Sequence, residues 1–262
     1  MPIPERKLYE ERQAAESFGT DAERYDRSRP RYPDEMITRV LAGAGEHPAV
    51  LDVGCGTGIA ARQFQSAGGT VLGVDVDERM AAVARRLGTD VEVSPFERWD
   101  PAGRTFDVVV SGQTWHWIDP VAGAAAAARV LRPGGRLAIF WNVFEPPAPI
   151  RDAFAEAHTR FMPEFPLPGS AAQAYAAMAG TAEDGIRATA GLGEPEIWRF
   201  ARDHVYTRDE WLDQVPTQGL YTRLPPERLR PLLDALGAAI DAAGGSFTAS
   251  LGTVVVTTTR SS

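Results

Sequence analysis

The strongest constraint on how this chain folds is a rhythm. Short runs of valine, isoleucine and leucine at residues 49–53, 70–75, 90–94, 106–110 and 136–142 are each separated from the next by a span with helical spacing or a turn. Five such strands alternating with helices read as βαβ units, hence a parallel, doubly wound sheet. Near-continuous apolar strands fit burial on both faces. The helices carry their own punctuation. Pro33 suits a first helical position, with Met36, Ile37, Val40 and Leu41 as a buried stripe ended by Gly43 and Gly45. Asp77 can cap a helix carrying Met80, Val83, Ala84 and Leu87, which stops at Gly88. Asp119 and Pro120 open an alanine-rich helix, and Arg132-Pro133-Gly134-Gly135 turns the chain into strand five.

After Asn142 the texture changes. Residues 145–149 form a proline-rich linker, and Ile150, Ala153, Phe154, Ala157 and Phe161 give a helical stripe. A stiff loop at 163–168 and an alanine-rich helix at 170–179 follow. The stretch 144–193 therefore reads as a helical insertion after strand five, covering the carboxyl edge of the sheet. Strands at 196–206 and 251–259, with helices at 208–215 and 226–243, complete the pattern. The expectation is an α/β fold with a doubly wound, mostly parallel seven-stranded sheet in one domain over 1–262. Residues 1–33 form a polar N-terminal arm, with Tyr25 and Arg29-Pro30-Arg31-Tyr32-Pro33 as its notable features.

At 262 residues the chain can bury a sizeable core, and 44% hydrophobic with 24% charged residues is ordinary for a globular protein. The net charge of -8 argues against nonspecific nucleic-acid binding and against an anionic membrane surface. One cysteine, Cys55, excludes an intramolecular disulfide and suits a reducing compartment. With no signal-like leader and no apolar run of membrane-spanning length, a cytoplasmic protein is expected, as monomer or homodimer. The histidines and carboxylates show no metal-ligand spacing, so no metal is expected.

The chemistry concentrates where strand one meets its helix, in Asp52-Val53-Gly54-Cys55-Gly56-Thr57-Gly58. Glycines let a backbone approach a ligand closely, and the helix N-terminus offers free N–H groups. The spacing is G-x-G-x-G, which differs from the dinucleotide fingerprint. In an open parallel sheet, ligands bind beyond the carboxyl ends of the strands, so the turns after strands one to four line one cleft. Asp75 ends strand two where a carboxylate can accept from ribose hydroxyls. Pro95-Phe96-Glu97 ends strand three where a flat base can rest, and Ser111, Gly112 and Gln113 end strand four.

Taken in order, these motifs resemble the class I S-adenosylmethionine-dependent methyltransferases over most of the chain. Residues 50–58 look like their motif I. Val74-Asp75 followed by Met80 resembles the acidic end of strand two and its helix. Phe106-Asp107-Val108-Val109 with Gln113 to Trp117 is similar to motif IV, and Val130 to Leu137 resembles the signature that follows. Tyr25 to Pro33 with Trp115-His116-Trp117 is similar to small-molecule members of the ubiquinone/menaquinone and trans-aconitate types. The resemblance implies S-adenosyl-L-methionine as cofactor. Gly54, Cys55, Gly56 and Gly58 would pack on its methionine moiety, with Asp52 steering the amino group. Asp75 would bind the ribose, Val76 and Met80 would touch the adenine, and Phe96 and Glu97 would flank its other edge. Ser111 and Gln113 would lie near the sulfonium, and Tyr25 with Arg29 or Tyr32 would close over the carboxylate. Pro95 departs from the pattern, since an aspartate often precedes the position of Phe96.

Methyl transfer asks little of side chains. Positioning alone contributes about 7–11 kcal/mol in favourable cases, and aromatic faces such as Tyr25, Trp115 or Trp117 stabilise a nearby cation by roughly 0.5–2 kcal/mol. His116 is the candidate general base or substrate contact, against packing between two tryptophans, and Tyr25 is the second catalytic candidate. Structural or surface roles are expected for His158 and His204, and a solvated one for Glu164. The acceptor is expected to be a small organic molecule, with Phe154, Phe161, Phe165 and Tyr175 as aromatic walls of its pocket. A nicotinamide-dependent oxidoreductase and a noncatalytic binding protein are the alternatives; the glycine spacing and the absence of a Tyr-x-x-x-Lys pair count against the former.

Overall fold

The computed structural model describes residues 9, 16–164 and 171–261. Its centre is a seven-stranded sheet in the order β3-β2-β1-β4-β5-β7-β6. The strands are β1 (Ala49–Val53), β2 (Thr70–Asp75), β3 (Asp90–Val93), β4 (Phe106–Gly112), β5 (Leu131–Glu145), β6 (Glu196–Thr207) and β7 (Ser246–Thr259). The first five pair in parallel, and β7 runs antiparallel to both β5 and β6. The mostly parallel, doubly wound sheet expected from the rhythm is the observed one.

Helices cover both faces: α1 (Ala22–Ser28), α2 (Asp34–Leu41), α3 (Ile59–Ser66), α4 (Glu78–Arg86), α5 (Pro120–Val130), α6 (Ala148–Phe161), α7 (Ala171–Arg187), α8 (Arg208–Gln214) and α9 (Pro226–Ala242). The two-residue period of a strand sends alternate side chains to opposite faces. Leu51, Val53, Val109, Leu137 and Ile139 therefore join one core, under α5 and α7. Val50, Val108, Val110, Ala138 and Phe140 join the other, under α2 and α3. Local caps agree with the sequence. The Asp77 carboxylate accepts from Arg79 N–H at the start of α4, and that of Asp119 accepts from Val121 and Ala122 N–H ahead of Pro120. Thr207 and Glu210 form a reciprocal capping box on α8.

Two boundaries move. The Arg132-Pro133-Gly134-Gly135 stretch is absorbed into β5, whose pairing with β4 shifts register between Phe106 and Val108. Gly134 N–H donates to Arg260 at 2.9 Å, so the end of β7 holds this bulge in the sheet. The last strand begins at Ser246, five residues earlier than apolarity suggests, because its first half alternates half-exposed and buried positions against β6.

The stretch 144–193 also divides in two. Its second helix, α7, buries Ala179, Ala182 and Ile186 in the main core. A Cβ on Gly185 would lie 2.3 Å from the Pro120 carbonyl, so this glycine lets α7 close on the start of α5. Only α6 leaves the sheet. It joins α8, α9 and the ends of β6 and β7 in a third core around Ile150, Trp211, Leu232, Leu236 and Phe247. This cap thus draws most of its residues from the β6–β7 connection. Phe165 and its loop neighbours up to 168 lie outside the described residues. Among the described residues no helix is long and apolar enough to cross a membrane.

Candidate active site

One cavity of about 890 Å³ opens at the carboxyl ends of β1, β2 and β4, where the strand order reverses, and runs beneath the cap. Of the residues singled out from sequence, Tyr25, Arg29, Tyr32, Asp52, Gly54, Cys55, Gly56, Asp75, Val76, Met80, Phe96, Glu97, Gln113 and His116 all line it.

Gly58 and Ser111 do not, which corrects two expectations. Gly58 takes a φ of 84° as the residue before α3 and shapes the helix entry from outside the cavity. Ser111 is fully buried, and its Oγ donates to the Val53 carbonyl at 2.9 Å. Strand alternation turns that hydroxyl into the sheet, away from the cleft.

The floor of the cavity is backbone. Gly54 and Gly56 have φ of 67° and 55°, a region that favours glycine. A Cβ on Gly54 would come within 2.0 Å of Thr114 Cγ2, and one on Gly56 within 3.3 Å of Met80 Cε. Thr114 Oγ1 donates to the Gly54 carbonyl at 3.0 Å, pinning the turn to the end of β4. Asp75 braces the same turn: Oδ2 accepts from Gly56 N–H at 2.7 Å and Oδ1 from Asp77 N–H at 2.9 Å. Burial pushes the Asp75 carboxyl up. Cys55 packs inward, with its Sγ where a Cβ on Gly73 would fall, 2.5 Å away, and burial pushes its thiol well up.

Asp52 differs from every other carboxylate here. It is 1% exposed, no side chain partners either carboxylate oxygen, and the backbone N–H of Ala61 favours its charged form. Burial, with the nearby Asp75 charge, pushes it up to about 7. Thr57 Oγ1, in the glycine turn that follows β1, is buried and unpartnered. Buried polar groups in folded proteins are nearly always paired, so this corner is built to be completed by a cationic or donor-rich ligand.

Gln113 follows the last residue of β4 with a φ of 59°, unusual outside glycine. Its Nε2 donates to the Asn142 carbonyl at 3.2 Å, and Asn142 Nδ2 donates to Pro30 at 3.3 Å, tying β4, β5 and the N-terminal arm together. Tyr25 presents its ring between Phe18, 6.0 Å away, and the Arg29 guanidinium, 5.0 Å from its centroid. Tyr32 is walled in against Phe140 at 4.6 Å, and Gln63 holds its backbone at both ends. Phe96 turns its ring into the main core and leaves the cleft only its edge.

His116 is half-buried, and Trp141 Nε1–H donates to its Nδ1 at 3.3 Å. An indole nitrogen only donates, so Nδ1 keeps its lone pair and the ring proton sits on Nε2. Burial pushes the ring down to about 4. A neutral imidazole presenting Nε2–H is a hydrogen-bond donor at neutral pH, and the general-base role does not fit it. His158 is buried against Tyr221, and His204 lies 4.3 Å from the Tyr206 ring; neither lines the cavity. Glu164 pairs with Arg228.

The far half of the cavity lies under the cap. Phe154 and Tyr175 line it as expected, and Phe161 does not. Sequence reading missed Tyr206, Trp211, Gln214, Tyr221, Leu236 and Leu251 in this lining. In sequence Tyr221 sits in a loop, and the others are ordinary residues of a strand or amphipathic helix. Only the hairpin geometry of β6 and β7 brings them over the cleft.

The mostly parallel seven-stranded sheet, with its cavity where the strand order reverses, has the Rossmann-like methyltransferase fold. Residues 51–139 match the family described as Methyltransferase domain. An uncharacterized methyltransferase of Mycobacterium tuberculosis is 39% identical over 134 residues, which is 48% of this chain and 52% of that protein. A ubiquinone biosynthesis O-methyltransferase of Thiobacillus denitrificans is 39% identical over 94 residues, 33% of this chain and 40% of that protein. The chain thus spans about half the length, or less, of these curated relatives. Among solved structures, a proposed type II methyltransferase from Anaeromyxobacter dehalogenans superposes with a TM-score of 0.62 at 21% identity, over 87% of this chain and 97% of that one. This likeness shows the fold.

Proposed function

We propose that the protein is an S-adenosyl-L-methionine-dependent methyltransferase acting on a small organic acceptor. The observation that carries this reading is one continuous cavity joining the glycine turn of the methyltransferase domain to an aromatic chamber under the cap. The residues present fit the cofactor. Asp52 and Thr57 leave buried polar atoms with no side-chain partner where an ammonium group would complete them, and Gly56 leaves a cradle that a side chain would narrow against Met80.

Asp52 would hold the amino group and Arg29 the carboxylate, with Tyr25 over both. Asp75 would accept from the ribose, and Val76, Met80, Phe96 and Glu97 would enclose the adenine. When bound, S-adenosylmethionine supplies an activated methyl group on a sulfonium, open to in-line displacement. The chain's part is to hold the acceptor's nucleophilic atom in line and to exclude water. Tyr25 and Trp117 line the cavity with aromatic faces suited to a cation. His116 Nε2–H would orient an oxygen of the acceptor. At saturating S-adenosylmethionine, His116 should contribute no limb near pH 6.5 to the rate profile, because the ring stays neutral well below that value.

The N-terminal arm would act as the lid. Arg24 and Arg27 of α1 both reach Asp213 of α8, at 3.0 Å each, while Arg62 of α3 binds Asp26 at 2.7 Å. The arm therefore bridges the sheet and the cap. A cytoplasmic setting agrees with the single buried cysteine, and a monomer or homodimer would suffice because all these groups come from one chain.

Calorimetric titrations with S-adenosylmethionine and with NAD test the reading. The former should bind at micromolar affinity and the latter should not. Saturable NAD binding with no S-adenosylmethionine binding sinks it. Tritiated-methyl transfer into small-molecule extract then separates turnover from binding alone.

A further inference from the structure

The cap half of the cavity carries a polar pattern of its own. Phe144 and Phe154 stack on Trp211, with ring centroids 4.5 Å and 5.5 Å away, and Tyr206 meets Trp211 edge-on at 5.2 Å. Within these apolar walls three cavity-lining residues hold polar atoms with no partner: Tyr206 Oη, Trp211 Nε1 and Gln214 Oε1. The three residues are 3%, 5% and 4% exposed. Folded proteins seldom leave such atoms unpaired, and here three fall on adjoining elements around one cavity. Trp211 and Gln214 are three residues apart on α8, so they share a face of the helix. Tyr206 lies two residues before that helix, next to last in β6.

The chemistry of the set is specific. An indole N–H only donates, a glutamine Oε1 only accepts, and a phenol does either. None is charged. The charged side chains at this rim are matched among themselves, since Arg151 pairs with both Glu145 and Asp152. Arg29 stands at the opposite side, over the Tyr25 ring. A carboxylate acceptor would thus meet two donors and a repelling Gln214 oxygen, with the rim cation already paired. A neutral group with adjacent acceptor and donor satisfies all three.

We infer that Tyr206, Trp211 and Gln214 form a recognition subsite for the neutral carboxamide or hydroxy-carbonyl end of a flat, apolar acceptor molecule. The carbonyl oxygen accepts from Trp211 Nε1–H and Tyr206 O–H, the N–H or O–H donates to Gln214 Oε1, and the planar body lies along the cavity side of the Phe144–Trp211–Phe154 stack. This inference rests on the methyltransferase reading only in treating that end of the cavity as the acceptor side.

The test uses three isosteric probes, 2-naphthamide, naphthalene-2-carboxylate and 2-methylnaphthalene, titrated into the full chain with S-adenosylhomocysteine present. 2-Naphthamide should bind at least 10-fold more tightly than either of the others. Tyr206→Phe and Gln214→Met should each weaken 2-naphthamide roughly 3- to 10-fold, the size of one neutral hydrogen bond, and leave 2-methylnaphthalene unchanged. Tyr206→Phe should also raise the melting temperature of the unliganded protein, because it removes an unpaired buried hydroxyl. Equal or tighter binding of the carboxylate, no binding of 2-naphthamide, or a Tyr206→Phe protein that melts lower and binds the amide unchanged overturns the subsite. S-adenosylhomocysteine affinity, measured in the same titrations, reports separately on the cofactor half: its loss would count against the methyltransferase reading and leave the probe comparison intact.

Discussion

The two halves of the cavity are made of different material. The cofactor half is main chain: Gly54 and Gly56 in left-handed conformations, braced by Asp75 and Thr114, with few side-chain atoms on the floor. The cap half is side chain: stacked rings from β5, α6 and α8, drawn from positions up to 67 residues apart between Phe144 and Trp211. A backbone site tolerates almost no substitution, because any Cβ is new volume where the ligand must lie. A side-chain site can change its ligand one residue at a time. The difference teaches where a chain of this kind is fixed and where it is free to vary.

The sharpest way to break the comparison is a methyl group on the backbone floor. Gly54→Ala forces a Cβ to within 2.0 Å of Thr114 Cγ2 at a φ of 67°. The turn must open, and S-adenosylmethionine affinity should fall by at least about 100-fold, with several kcal/mol of stability lost. Gly134→Ala is the control. It has a φ of 77° with nothing within 4 Å of the added Cβ, so it should cost about 1 kcal/mol and leave binding intact. Equal effects from the two, read by calorimetry and thermal melts, would mean that strain and not contact governs the turn.

Asp52 gives the next effect, and its sign depends on pH. In the folded chain its carboxyl titrates near 7, against an ordinary value of 3.8. The folded state therefore holds an extra proton between these values. The stability it contributes is fully present below about pH 4 and is lost as pH rises through 7, on the order of 4 kcal/mol by pH 8. Asp52→Asn keeps the shape and removes the titration. The unliganded variant should melt higher than the parent at pH 8 and alike at pH 4. S-adenosylmethionine affinity should fall 10- to 100-fold through loss of the ammonium partner. A variant that melts lower at pH 8 would mean that the Ala61 N–H outweighs the burial of the Asp52 charge, and would remove its role as an acceptor awaiting a ligand.

The same contrast explains what could be read from the sequence. The cofactor half was legible because its determinants are contiguous: glycines where φ is positive, Asp52 and Asp75 near the ends of β1 and β2, and a proline or aspartate at the starts of α2, α4 and α5. The fold was legible for the same reason, as strand and helix periods are local. Ser111 misled because a hydroxyl at a strand end looks functional, whereas its parity in β4 sends it to the Val53 carbonyl. Gly58 misled because it belongs to the motif yet serves the entry to α3. The cap was illegible for a deeper reason. Tyr206, Trp211 and Gln214 acquire meaning only when β7 pairs antiparallel with β5 and β6, and nothing in their local pattern separates them from packed core.

The smallest expected effect tests whether the two halves act together. Asp213 receives Arg24 Nε at 3.0 Å and Arg27 Nε at 3.0 Å, and its own helix carries Trp211 and Gln214 into the acceptor chamber. Its side chain is 31% exposed and that of Arg27 62%, so solvent screens much of the attraction. Asp213→Asn should therefore lower stability by less than about 1 kcal/mol. Its consequence should appear in kinetics. Without both ion pairs the arm bearing Tyr25 and Arg29 spends more time away from the cap, so the dissociation rate of S-adenosylmethionine should rise about 3- to 10-fold with little change in association. The rise should shrink at high salt, where the parent's pairs weaken too. If the variant releases the cofactor at the parental rate, α1 is held by Asp26 on Arg62, Glu23 on Arg86 and Arg24 on the Leu212 and Asp213 carbonyls, and the Asp213 carboxylate is no latch between the two halves.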